Sequence, residues 1–443
     1  MFFNVLLLST FLMHNRQTIK LNIFRHSILF LLGFIIVHFQ YLLEFAVTNE
    51  IVSPVDIWVD ERQVSKSLVI SSFGLLFFCF GFDLYKRNKS YHLSYDKSQK
   101  ENVNVSFLIL LSYICFFGFL YTVDGQYLAG YYGRAEPGVA AARFQIILSL
   151  CISASIIIKV YYRRGNSIKL MEYVREIGSP LNLIILSYVS LVLFIGDRGP
   201  ALSLILLYFG GFVFITKTKP RAIFIIFSII LGVFLMTVVR NYRGTDKMLP
   251  VSERLEIAFF DKESSYSKGG VETDELAGSV RTLHYAVSNV PNNYDFQYGW
   301  YQIRQLLIVI PGMASILDQI NPTYIDKGST KFITYLDQGS YITYGLGTSI
   351  IADFYIDLGL IGVILGMFLL GMVFSRMEIV AFSDSRSSLF FFVCMMIYLS
   401  KTIYLSRSTA LFPLQEVVWV YVIVILNNHF FNSDRRLKRG KSA

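Results

Sequence analysis

The sequence predicts an all-α, polytopic integral membrane protein: a helical bundle of ten or eleven spans, with one large external loop that carries short helices. Three observations lead there. Hydrophobic residues make up 54% of the chain and charged residues only 16%, with a mean hydropathy of +0.51; soluble domains carry about 25% charged residues. Apolar stretches long enough to cross ~30 Å of hydrocarbon recur along the whole chain. Lysine and arginine gather in alternate short loops, as they do on the cytoplasmic side of membrane proteins.

The spans fall at about 27–47, 67–84, 104–123, 138–160, 179–197, 200–216, 221–240, 349–374, 388–405 and 410–430. A shorter run, "FFNVLLLSTFLM", opens the chain. No small-residue cleavage site follows it, so it reads as a short first span or a half-inserted helix rather than a removed signal peptide.

The basic loops hold Arg16, Lys20 and Arg25; Lys86, Arg87, Lys89, Lys97 and Lys100; Arg163, Arg164, Lys169 and Arg175; and Lys217, Lys219 and Arg221. With the tail "SDRRLKRGKSA" they place the C-terminus in the cytoplasm, and acidic segments such as "TNEIVSPVDIWVDE" on the other side. The net charge of +9 is therefore a topology signal. A basic tail beside anionic lipid accounts for it, and nucleic acid is not an expected partner. Cys79, Cys115, Cys151 and Cys394 all lie in apolar spans without CxxC spacing, so neither a disulfide framework nor a zinc site is expected.

Between an N-terminal transmembrane bundle (1–240) and C-terminal spans with a basic tail (349–443), residues 241–348 stay out of the membrane. Loops this long are functional or disordered, and this one is rich in hydrophobes. "DELAGSVRTLHYAVSNV" repeats Leu276, Val280, Leu283 and Val287 at helical spacing, with Asp274 placed to cap. "YGWYQIRQLLIVIPG" is too short to span and stops at Pro311-Gly312, which suits an interfacial helix. The loop is expected to be a folded cap lying on the membrane.

Seven arginines fall at or near the outer leaflet, against the charge bias of the loops. Arg143 lies about one turn inside a span and Arg198 in the hairpin "GDRGP". Arg240 and Arg243 stand where the span before the cap emerges. Arg281 and Arg304 are on the two candidate cap helices, and Arg407 precedes the last span. One such arginine can be an interfacial snorkeller, and "GDRGP" has the composition of a tight turn. Seven together point to a phosphate-bearing ligand, because guanidinium recognises phosphate bidentately. Asp197 is placed to orient Arg198. After the cap, Gly345 and Gly347 lead to Thr348 and Ser349 as helix caps, where free amides can bind an anion. Asp353 and Asp357 then share a helix face, available to pair with arginine, orient a sugar hydroxyl or act as a base. His284, one turn from Arg281, is a further candidate base, although such a histidine is more often structural. "ETDE" reads as helix capping rather than a metal site.

The order of a "GDRG" hairpin, a span ending in arginine and a large external loop resembles the O-antigen polysaccharide polymerases (Wzy). That loop contains "GSVRTLHYAVSNVPNNYDFQYGWYQIRQLLIVIPG", and "GLGTSIIADFYIDLGLIGVILGMFLLG" follows it. The resemblance is clearest over roughly 190–375. It implies a GT-C-like membrane glycosyltransferase at the periplasmic face of the bacterial inner membrane. The donor would be a growing glycan on undecaprenyl pyrophosphate and the acceptor one repeat unit on the same lipid, with a chain-length regulator and a flippase as expected partners. In that reading the seven arginines bind pyrophosphate, His284, Asp353 and Asp357 are the catalytic candidates, and no metal or other cofactor is needed. An O-antigen ligase using the same donor is the alternative, and a repeat-unit flippase a weaker one. A flippase should carry charges within its spans and lack a folded cap.

Overall fold

The computed structural model describes residues 2–16, 24–48, 61–87, 103–128, 137–163, 168–216, 250–260, 273–382 and 388–431. Each apolar stretch within them forms a helix, and there is no strand among the described residues. Five helices are long and apolar enough to cross a membrane: His26–Val47, Glu61–Lys86, Val139–Tyr161, Ile350–Val380 and Leu414–Phe431. The bent pair Leu170–Ile177 and Ser179–Ile195 supplies a sixth if taken as one span. Phe3–His14, Ser106–Thr122, Gly199–Ile215 and Leu389–Leu405 are apolar but shorter. The span expected at 221–240 lies outside the described residues. The protein is an all-α, multi-pass membrane protein.

Two compact units make up the chain, each assembled from separated segments. One comprises 1–91, 267–380 and 401–415. Its helices approach until backbones touch, which in lipid requires small residues at the crossing. Gly81 lies against the Phe368 carbonyl and Gly371 against that of Phe78, so a Cβ at either would sit 2.1 or 2.2 Å from oxygen. These reciprocal contacts lock Glu61–Arg87 to Ile350–Phe382. Phe30, Phe78 and Phe374 fill the centre, with ring centroids 4.7, 5.6 and 5.9 Å apart. Below them Arg25 and Glu378 form an ion pair at 3.1 Å, each side chain 2% exposed, and the Ser27 amide also donates to Glu378. Arg25 precedes the helix His26–Thr48 and Glu378 lies near the end of Ile350–Phe382, so these helices run antiparallel. The Ile350 amide donates to the Ser406 carbonyl, which likewise joins the start of one span to the end of Leu389–Leu405. That alternation is the one the loop charges require.

The other unit comprises 92–266, 381–400 and 416–443. Leu170–Ile177 meets Ser179–Ile195 at 95°. Gly178, at φ 89°, makes the corner, and Pro180 starts the second helix. Side-chain hydrogen bonds pin the corner: Asn182 donates to the Val174 carbonyl, Tyr208 to Asn182, and the buried Tyr173 to the Tyr208 carbonyl. At the far end of Ser179–Ile195, Gly196 adopts the left-handed conformation. The Asp197 amide bonds the Val192 carbonyl at 2.8 Å and the Gly196 amide that of Leu193 at 3.0 Å. This is a Schellman cap, and Arg198–Thr216 begins directly after it. The "GDRGP" stretch therefore has the geometry of a tight helical hairpin.

Candidate functional site

The span after the cap is broken. Leu358 (φ −140°, ψ 19°) and Gly359 (φ 62°, ψ −150°) leave helical space, separating residues 350–357 from the long remainder. Only glycine tolerates the conformation at 359, and the Phe296 ring occupies the place a Cβ would point to, 3.1 Å from it. Ser349 caps the short segment, its hydroxyl accepting the Ala352 amide. With the Ile350 amide on Ser406, two of the leading amides are satisfied within the protein. The anion cradle expected at this helix start is thus largely used up by internal bonds.

A break in a helix frees carbonyls, and buried carbonyls need donors. Here the cap supplies them: the Gln297 amide donates to the Ile356 carbonyl at 3.0 Å and the Tyr298 amide to that of Asp357 at 2.8 Å. The two aspartates extend the seam. Asp357, 1% exposed, accepts the amides of Gly299, Tyr301 and Gln302 at 3.0, 3.2 and 3.3 Å. Those amides open the helix Trp300–Leu307, where a carboxylate complements the dipole. Asp353, fully buried, accepts the Ser329 hydroxyl at 2.5 Å and the side-chain amides of Gln302 at 2.8 Å and Gln305 at 3.2 Å. Both carboxylates fasten the cap to the span, and neither faces open space.

The remaining sequence-derived candidates separate. His284 is 2% exposed on Val280–Asn289 and shares a small cavity with His38, Tyr41 and Val280. It faces the span rather than solvent. Arg304 is 7% exposed and pairs with Asp318 at 2.6 Å, while its other terminal nitrogen is buried without a partner. Arg407 is half-buried in the turn before the last span. In the second unit Arg143 is exposed near the start of Val139–Tyr161, and Asp197 and Arg198 occupy the hairpin. Arg240 and Arg243 lie outside the described residues.

Arg281 has company that residue spacing did not predict. Tyr285 donates to one oxygen of Asp337 at 2.7 Å and Tyr344 to the other at 2.8 Å. Arg281 stands beside both phenols. Burial and the Asp337 bond push Tyr285 up to about 12, with Arg281 opposing. The same bond and burial raise Tyr344. Both phenols therefore stay protonated near neutral pH and remain donors to Asp337. Elsewhere the cap shows further aromatic residues: Tyr341 is 90% and Tyr298 74% exposed, and Tyr324 stacks on Tyr335 at 5.2 Å.

A family model described as O-antigen polysaccharide polymerase Wzy matches residues 1–435. The chain belongs to that family. No curated protein and no solved structure matches it. As a Wzy polymerase the protein has a glycosyltransferase-like activity that builds O-antigen polysaccharide, and its multi-pass helices place that activity in a membrane. In this Wzy chain, sequence reasoning found Asp353 and Asp357 but missed their partners Ser329, Gln302 and Gln305. It also missed Asp337, Tyr285 and Tyr344. The tyrosine density of "FITYLDQGSYITYGLG" was the available signal.

Proposed function

We propose that this protein joins oligosaccharide repeat units carried on undecaprenyl pyrophosphate, at the periplasmic face of the inner membrane, with its C-terminus in the cytoplasm. The match across residues 1–435 carries this reading. In the reaction, a hydroxyl oxygen of the acceptor repeat unit attacks the anomeric carbon of the donor. The bond from that carbon to the phosphate oxygen breaks, the lipid pyrophosphate leaves with the electron pair, and the hydroxyl proton is released. The developing charge needs preorganised cations. Arg281, beside its two fixed phenols, and Arg304, with a buried donor unspent, are the cap's candidates for that task. The exposed tyrosines present faces for sugar rings. Asp353 and Asp357 act through the cap they hold in place. Arg198, with Asp197 as its neighbour in the chain, remains a second candidate for binding pyrophosphate. A flippase delivering repeat units and a chain-length regulator are the expected partners.

The test is direct. Purified protein given pyrophosphate-lipid-linked repeat units should produce a ladder of lengthening glycans, and a deletion strain should cap its surface lipid with one repeat unit. A deletion strain with no capping at all would identify a ligase instead.

A further inference from the structure

A cavity of about 90 Å³ lies in the second unit, beside the corner between Leu170–Ile177 and Ser179–Ile195, well above the ~10–15 Å³ that one water needs. Lys159, Arg163 and Glu176 line it, with Tyr162, Tyr173 and Val103. Its place is the membrane boundary. Leu170–Ile177 is a short amphipathic helix turned 95° from its span, its apolar Leu170 and Met171 are exposed, and Tyr161 and Tyr162 end the neighbouring span. Such a helix lies in the interface with its apolar side in lipid.

The charges are arranged in a particular way. Lys159 donates to the carbonyls of Glu176 and Ile177 at 3.0 and 2.7 Å, capping the helix C-terminus and leaving the third of its donors. Arg163 pairs with one oxygen of Glu176 at 3.3 Å, with side chains 20% and 24% exposed. The other Glu176 oxygen is buried and accepts nothing. Two cations thus share a wall with a carboxylate whose second oxygen needs a donor. Free phosphate would meet that carboxylate as a like charge. A ligand that carries phosphate and its own hydrogen-bonding cation satisfies all three groups.

We propose that this cavity binds the headgroup of an ethanolamine phospholipid, with phosphate against Lys159 and Arg163 and the ammonium against Glu176. The site stands on the face that carries the basic loops, and it is independent of the polymerisation chemistry.

The experiment is native mass spectrometry of the full-length protein in detergent, titrated with phosphatidylethanolamine and phosphatidylcholine of identical acyl chains. The choline headgroup has the same charges but cannot donate a hydrogen bond. The ethanolamine lipid should bind about tenfold tighter or more, the weight of one charge-assisted hydrogen bond. Glu176→Gln should remove most of that preference, Arg163→Gln should weaken both lipids alike, and Lys169→Gln should leave both affinities intact. Equal retention of the two lipids by the unmodified protein overturns the proposal without reliance on any variant. So does displacement of the lipid by millimolar inorganic phosphate, which would make this a free-anion site.

Discussion

If Asp357 is a staple, removing its carboxylate should release the start of Trp300–Leu307. Asp357→Ala takes the acceptor from three cap amides, at 3.0, 3.2 and 3.3 Å. A hydrogen bond to a charged group is worth ~1.5–3 kcal/mol net. The two longer contacts put the total near the low end, at ~3–5 kcal/mol of local stability. Each 1.4 kcal/mol is tenfold, so the released conformation should become ~100–3,000-fold more populated. Asp357→Asn keeps an acceptor oxygen and loses only the charge, for a rise of roughly 5–30-fold. Trypsin reads this out at Arg304, which is 7% exposed and protected while the helix is docked. Under limiting protease, cleavage after Arg304 tracks the open population. Polymerisation should fall in step with protection, alanine below asparagine. Wild-type resistance at Arg304 together with abolished polymerisation in Asp357→Ala would refute the staple and return the carboxylate to the chemistry.

The hairpin caps itself through the Gly196 and Asp197 amides, so Arg198→Ala should leave membrane accumulation intact. Its turnover should fall about a hundredfold or more, as when an oxyanion donor is lost; normal long-chain polysaccharide would show that "GDRGP" is only a turn. Glu378→Ala strands the buried Arg25 and should cost ~3–5 kcal/mol, seen as poor accumulation in the membrane, whereas methionine at both positions should be much milder. Gly359→Ala forces a side chain into a glycine-only conformation against Phe296 and should cost at least ~1–3 kcal/mol, read as faster trypsin cleavage at Arg304. Polymerisation of purified substrate should survive EDTA; loss restored by magnesium or manganese would assign "ETDE" to a metal.

The helices were legible because each apolar stretch is long, and their alternation because the loop charges are unbalanced. The cap helices were legible too, since Val280, Leu283 and Val287 repeat with helical period and are buried. What periodicity could not reveal is pairing across distance. Asp353 and Asp357 announce two carboxylates on one face, but nothing local says that Ser329 and the Gly299 amide will meet them. Gly359 looks like one of several span glycines until its partner Phe296 is known. His284 is a different case: its place one turn from Arg281 made it a candidate base, more often structural, and the helix turns it inward to a small cavity shared with His38.

The broken span also fixes an order of events during biosynthesis. The Gly299 amide that holds Asp357 is made 58 residues earlier. The start of Trp300–Leu307 must therefore wait, unfastened, until the segment 350–357 emerges. That segment arrives carrying two carboxylates, each costing ~2.5–3.5 kcal/mol at mid-bilayer on insertion scales, and two carbonyls without partners. Only the waiting cap can satisfy them. Closure of this seam is thus a late step of maturation, and a chain that ends before residue 349 would leave the start of Trp300–Leu307 without the carboxylate it closes upon.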